Sequence, residues 1–327
     1  MKKLISLIIG PGMFFVSFML VTFCQANPHS FIETFTLDET GRLETKTFGG
    51  DIRISGNSTN KVEVKTDVSH NGIKLVEEDP IMETFYEYYD LQIEKEGNTI
   101  LAKAVRKGKL EEGHFAFGIS FTIEMPSQAE IKAHANNGNI YVSDQSGQHT
   151  YTTNSGNVLL ERVTGSTLLV TSNGNVEKRD CVGDSDIRIS GGELIMNRSE
   201  GDVSVSSTGE NVILDHSGGS IFVRSSGGDV VITGKAKSMD VISNGRISIK
   251  LDYIENGAHL NTNGDVKAQI KGDKGLDLSL KAQRVEFNTS KDFKGTRKDS
   301  FVSGSVDGGG IPVNISATGG EISLSVD

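Results

Sequence analysis

The sequence predicts an all-β chain: a parallel β-solenoid, of the β-helix or β-roll kind, of about ten coils of ~18 residues with an N-terminal β-rich cap. Three observations predict it. Glycine turns recur at a fixed period, apolar residues alternate with period two around each turn, and the composition suits tight turns between short strands.

The turns read Asn136-Asn137-Gly138, Asn154-Ser155-Gly156, Ser172-Asn173-Gly174, Ser190-Gly191, Thr208-Gly209, Ser226-Gly227, Asn244-Gly245 and Asn263-Gly264. Their intervals are 18, 18, 17, 18, 18, 18 and 19 residues. A period this short without helical patterning means strands stacked on their neighbours. With the glycine as position zero, positions −6 and −4 give Leu168 and Val170, Val203 and Val205, Ile221 and Val223, Met239 and Val241. After the glycine come Ile140 and Val142, Val158 and Leu160, Leu194 and Met196, Val212 and Leu214, Val230 and Ile232. Alternation of this kind marks strands with one buried face. At about 4.8 Å per coil, ten coils make a rod roughly 45–50 Å long. Ser185 and Lys178 break the pattern, and Thr150 and Thr152 follow it weakly; a bulge or register slip is expected to release Lys178 to solvent.

The composition, with Gly 38, Pro 5, no Trp and 36% hydrophobic residues, is that of a turn-rich folded chain. At the N-terminus, Lys2 and Lys3 precede an apolar run from Leu4 to Phe23, and Cys24-Gln25-Ala26 offers small residues at −3 and −1. Residues 1–26 therefore read as a signal peptide cut after Ala26. An uncleaved anchor is the rival, and a lipid-modified Cys24 a further option that Phe23 fits badly. Cleavage removes only Lys2 and Lys3 among charged residues, taking the net charge from −10 to −12. An acidic chain without a basic cluster argues against nucleic acid and against anionic lipid. The single remaining cysteine, Cys181, forms no internal disulfide and reads as a buried, inert thiol.

Residues 27–125 form the cap with a first repeat-like coil (Leu43, Thr45, Gly49, Ile52, Ile54), and residues 126–327 the repeats. Within the cap, Lys61–Val68 and Phe117–Glu124 are extended, Leu91–Ala104 is a hairpin around Gly97-Asn98, and Pro80–Tyr89 is an aromatic, acidic excursion. A charged insertion occupies 291–300. A final coil around Gly319, with Val313, Ile315, Ile322 and Leu324, reaches the chain's end.

Three segments carry a family resemblance. Ile123-Glu124-Met125-Pro126, Ala129-Glu130-Ile131 and Asn136-Asn137-Gly138-Asn139-Ile140 form an entry into the repeats. Serial Ser/Thr-x-Gly-Asp/Asn-Val coils follow. Gly309-Gly310-Ile311-Pro312-Val313 and Thr318-Gly319-Gly320-Glu321-Ile322 close them. Over about residues 43–327 the chain resembles the bacterial putative-adhesin family of exported β-solenoid envelope domains, whose activity is undefined. The resemblance implies an exported solenoid and brings no catalytic residues.

Candidate chemistry is sparse. Calcium in the manner of a β-roll needs carboxylates recurring in adjacent turns. The residues after the glycines are instead Asn139, Asn157, Asn175, Glu193, Glu210, Asp229, Arg246 and Asp265, a mixed series better suited to capping turns. Catalysis on a glycan needs facing carboxylates; Asp186 and Arg188, near Arg224 and Asp240, read more simply as a solvated face. No metal or cofactor site is expected. The feature that stands out is an outward aliphatic stripe, Tyr141, Leu159, Ile195, Ile213 and Val231, interrupted by Glu177. It is either a protein-contact surface or covered by another part of the chain. The glycines Gly138, Gly156, Gly174, Gly191, Gly209, Gly227, Gly245, Gly264 and Gly319 are structural.

The resulting expectation is a non-catalytic, adhesin-like or structural binding module of the bacterial envelope, in the periplasm, outer membrane or cell surface. Its partner is an envelope or surface protein or a glycan, not nucleic acid. The alternatives are a carbohydrate-active β-helix enzyme and a periplasmic interaction or sensor module.

Overall fold

The computed structural model describes residues 31–37, 40–108, 117–272 and 274–327. The expected signal peptide, with Cys24 and Ala26, lies outside them.

The described residues are all β apart from one helix, but the expected parallel solenoid is corrected by the strand topology. Every described strand joins one 28-stranded sheet of mixed sense that wraps nearly to closure around a single core. Antiparallel ladders build both ends. At the front, Lys61–His70 pairs antiparallel with Phe31–Thr36 and with Phe117–Pro126, and Tyr89–Glu96 pairs antiparallel with Thr99–Arg106. At the back, Phe301–Val306 lies antiparallel between Gly275–Thr289 and Phe293–Lys298.

Between these ends the ladders are parallel and form two limbs. Strands before each repeat glycine, such as Ser146–Ser155, Thr164–Asn173, Ser185–Ile189, Val203–Ser207 and Ser220–Ser225, stack on one another. Strands after it, such as Ile140–Ser143, Val158–Glu161, Val176–Arg179, Leu194–Ser199 and Val212–Ser217, stack on the other limb. The front block is continuous with both limbs: Gly41–Thr47 pairs with Ala129–Ala135, and Ile52–Asn57 with Ile140–Ser143. The limbs meet in Gly310–Val326, whose two halves pair with Ala258–Thr262 and Val266–Ile270. That strand is last in sequence but not in space, because Gly275–Thr289 packs outside it. The expected final coil is therefore an interior one.

The excursion at Pro80–Tyr89 is mostly the helix Ile81–Tyr88, which buries Met82 and Phe85. Phe85 stacks on Tyr89 at 5.5 Å and meets Phe117 edge-on at 5.3 Å, so an aromatic cluster closes the front of the core.

A glycine column holds the repeats at this spacing. A Cβ on Gly174 (φ +137°) would sit 2.1 Å from the Gly156 carbonyl oxygen, so no side chain fits between successive repeats there. Gly192 and Gly320, rather than their neighbours Gly191 and Gly319, lie against the carbonyls of Gly174 and Gly264. A second column, Gly147, Gly165, Gly183, Gly201 and Gly219, runs along another corner of each repeat. At Gly183 (φ +117°) a Cβ would meet the Gly165 oxygen at 2.4 Å.

These strands keep an 18-residue register from repeat to repeat, and the corner glycine shifts against it. Up to Gly192 the inward residues fall at −7, −5 and −3, giving His149, Tyr151 and Thr153, then Thr167, Leu169 and Thr171. The 17-residue interval from Gly192 to Gly209 moves them to −6, −4 and −2, so Val203, Val205 and Ser207 face inward. Leu168 and Val170, read from the sequence as core, therefore point outward, and Leu168 is 36% exposed.

Lys178 does not escape through a bulge. It stays in register between Leu160 and Met196, is 2% exposed, and its Nζ donates to Ser185 Oγ at 2.5 Å. The two residues that broke the apolar pattern are thus partners across the core. Burial pushes the Lys178 ammonium below its ordinary value of 10.5. His149, 3% exposed, is pushed from 6.5 to about 4, chiefly by burial and further by Lys178. Cys181 is free and 2% exposed.

Gly174→Ala should cost about 1–3 kcal/mol in urea unfolding, from backbone strain and the carbonyl clash. Gly272→Ala, with nothing within 4 Å, should change stability by less than about 0.5 kcal/mol. Between its folded and unfolded pKa values Lys178 binds more protons when unfolded, so its contribution to stability rises with pH toward 10.5. The double variant Lys178→Met/Ser185→Ala should accordingly gain about 1–3 kcal/mol at pH 7, less near pH 10. The same sign for His149 means stability is lost as pH falls from 6.5 to about 4, by roughly 3 kcal/mol. Denaturant midpoints across that range should flatten in His149→Leu; an unchanged slope would refute the assignment.

Candidate functional site

Constant register turns each outward position into a column along the stack. On the limb after the glycines, Arg53, Tyr141, Leu159, Glu177, Ile195, Ile213 and Val231 align one above the next. The structure thus brings the whole sequence-derived stripe together. All five of its residues are half-buried, leaving an apolar ridge open to solvent. The Arg53 guanidinium lies 4.0 Å from the centre of the Tyr141 ring and is paired with Asp51 at 2.9 Å. Glu177, which interrupts the ridge, is held by Arg179 at 2.6 Å.

The larger concavity lies on the other limb. A groove of about 570 Å³ runs across Ser146–Ser155, Thr164–Asn173, Ser185–Ile189, Val203–Ser207 and Ser220–Ser225. Two columns wall it: Gln148, Ser166, Asp184, Asp202 and Ser220, and Thr150, Leu168, Asp186, Ser204 and Phe222. Phe222 is 41% exposed, and Arg224 stacks on its ring at 3.9 Å while paired with Asp240 at 2.9 Å. Glu130 at one end is paired with Arg42 at 2.8 Å, and Asp186 with Arg188 at 2.8 Å. Asp184 Oδ1 accepts the Asp202 N–H at 3.0 Å, and Asp202 Oδ1 accepts the Ser220 N–H at 2.7 Å. These two aspartates bridge repeats through one oxygen each and make no ion pair among the described residues.

The polar residues after the glycines do similar work elsewhere. Asn139 Oδ1 accepts the Asn157 N–H, Asn157 Oδ1 that of Asn175, and Asn175 Oδ1 that of Glu193, at 2.8, 2.9 and 3.0 Å. Asn211, rather than Glu210, continues the column, bonding Asp229. At a further corner Arg162 forks onto Asp144 at 2.6 and 2.9 Å, and Arg198 onto Asp180 at 2.5 and 2.8 Å. Among the described residues no group of three or more His, Cys, Asp and Glu could hold a metal ion.

Chemically, the groove can accept hydrogen bonds, hold cations and seat apolar groups at Leu168 and Phe222. The Lys178–Ser185 pair has the composition of a nucleophile and base, but the bond runs between two inward side chains and is sealed in the core. The Asp186–Arg188 and Arg224–Asp240 sets are two neutralising ion pairs rather than facing carboxylates. Sequence reading placed Asp186 outside and missed the groove around it, because Leu168 had been assigned to the core.

No protein-family profile matches the chain, and no curated protein does. Solved structures similar to it include a putative cell adhesion protein from Clostridium sporogenes, 14% identical, covering 91% of this chain and 100% of its own, TM-score 0.19. A putative adhesin from Bacteroides fragilis is 10% identical, with 90% and 96% covered and a TM-score of 0.31. A putative lipid binding protein from Parabacteroides distasonis is 14% identical, with 72% and 97% covered and a TM-score of 0.37. Likeness at this level carries no argument about activity or partners.

Proposed function

We propose that this chain is a non-catalytic, adhesin-like binding module of the bacterial envelope, exported by its N-terminal segment and acting through rigid side-chain columns. The observation that carries the reading is the groove, one wall fixed by strand register and the other, at Asp184 and Asp202, by bonds to backbone N–H groups of the next repeat. Rigid walls lower the entropy lost when a partner is bound. The apolar ridge through Ile195 and Ile213 supports the same reading as a second contact surface. Among the described residues no helix is long and apolar enough to cross a membrane.

A carbohydrate-active enzyme is the second reading, favoured by Asp184, Asp186 and Asp202 sharing one groove. Against it, each already serves a structural bond, two to backbone N–H groups and one to Arg188.

Protease shaving of intact against lysed cells, followed through a C-terminal tag, tests the placement. Digestion on intact cells supports adhesion, and protection until lysis overturns it in favour of periplasmic partners. Turnover of any member of a glycan panel, lost in Asp186→Asn, would replace the binding reading with the enzymatic one. The double variant Ile195→Asp/Ile213→Asp should abolish cross-linking to an envelope partner while lowering Tm by only a few degrees; unchanged cross-linking would remove the ridge from the proposal.

A further inference from the structure

The groove on the limb before the glycines has a spacing as well as a chemistry. Leu168 and Phe222, its two exposed apolar residues, stand in one column three repeats apart. At about 4.8 Å per repeat they are separated by about 14 Å. An extended peptide rises about 3.4 Å per residue, so residues i and i+4 on one face are also about 14 Å apart. Residue i+2, on that same face, falls midway, level with the gap between the repeats of Asp184 and Asp202.

Charge decides what sits at the midpoint. Asp184 and Asp202 each use Oδ1 for a backbone N–H, make no ion pair among the described residues, and keep Oδ2 for another donor. The charge of Asp186 is held by Arg188, and the cation nearest Phe222, Arg224, is held by Asp240. The groove is therefore negative at its centre, with Leu168 and Phe222 on either side and Glu130 beyond Leu168 neutralised by Arg42, which disfavours anionic ligands and complements a cation flanked by apolar groups. Ser204, in the same column between Leu168 and Phe222, offers a hydroxyl to a peptide backbone.

We propose that this groove binds an extended basic peptide segment, lying along the stack, with apolar side chains at i and i+4 and Lys or Arg at i+2. The inference rests on the binding-module reading and names the partner class of its larger site. The apolar side chains seat on Leu168 and Phe222, and the cation bridges Asp184 and Asp202.

The test is fluorescence anisotropy of the full folded chain with labelled nonapeptides in a Ser/Thr background. The probe peptide carries Ile at positions 3 and 7 and Lys at 5. One control carries Glu at 5, and another moves the second Ile to 6. The probe should bind with an affinity that falls with salt, and each control should be weaker by about tenfold or more. Asp184→Asn/Asp202→Asn should weaken the probe by at least about tenfold, since Asn keeps the Oδ1 acceptor and removes only the charge. Phe222→Ser should do the same, and Gly272→Ala, outside the groove, should not. Absence of probe binding, equal binding of the Glu control, or indifference to both groove variants would overturn the proposal. Binding of a neutral oligosaccharide that Phe222→Ser abolishes, with no peptide bound, would overturn the peptide and leave the binding module standing. Turnover of that oligosaccharide would overturn both.

Discussion

The constraint on which the rest of this structure depends is the close approach of backbone to backbone at the repeat corners. Each repeat must satisfy its N–H and C=O groups with the repeats before and after it, which fixes their separation at the spacing of hydrogen-bonded strands. At the corners this leaves no room for a Cβ, as at Gly174 over the Gly156 carbonyl. Where a side chain is tolerated it takes over the bonding: Asn139, Asn157 and Asn175 accept N–H groups that the turn would otherwise leave unpaired. Once the corners are locked, every outward position must fall above its counterpart. The columns that form the ridge and the groove are thus consequences of backbone bonding, not separate designs.

The same rigidity explains how the core accommodates Lys178. An inserted or missing residue would flip every side chain beyond it, so the strand keeps its phase and buries the amine instead. The cost is met partly by Ser185, which the opposite limb places where a valine or isoleucine stands in later repeats. One polar residue on each limb, paired across the core, is less disruptive than either alone, because a lone buried donor would lose its water without replacement. His149, buried nearby and neutral, extends this polar patch and ties the stability of these repeats to acidity.

Much of this was legible in the sequence, and what was not has a definable cause. The apolar pairs after the glycines, from Ile140 and Val142 to Val230 and Ile232, are all buried. Before the glycines the reading failed where two glycines adjoin: Gly191 was counted in place of Gly192, which put the short interval one repeat too early. That error reversed the faces of Leu168 and Val170 and concealed the groove. The second glycine column, Gly147 to Gly219, was present at an 18-residue spacing and would have supplied an independent ruler. The ends were harder for a different reason. Whether Gly310–Val326 packs inside or outside Gly275–Thr289 depends on long-range pairing that no local pattern encodes, and the antiparallel ladders leave no periodic trace.

A scaffold of this kind recognises by spacing. Loops can adjust to a ligand, whereas columns set by hydrogen-bonded strands offer contacts only at multiples of the repeat distance. Leu168 and Phe222 are held three repeats apart, and the aspartates between them are each anchored by a backbone N–H of the next repeat. A partner must therefore match both a distance and a sign, and a mismatch in either leaves a carboxylate desolvated without a donor or an apolar end unfilled. Such a surface gains selectivity from its backbone, and its side chains can change one column at a time without disturbing the fold beneath.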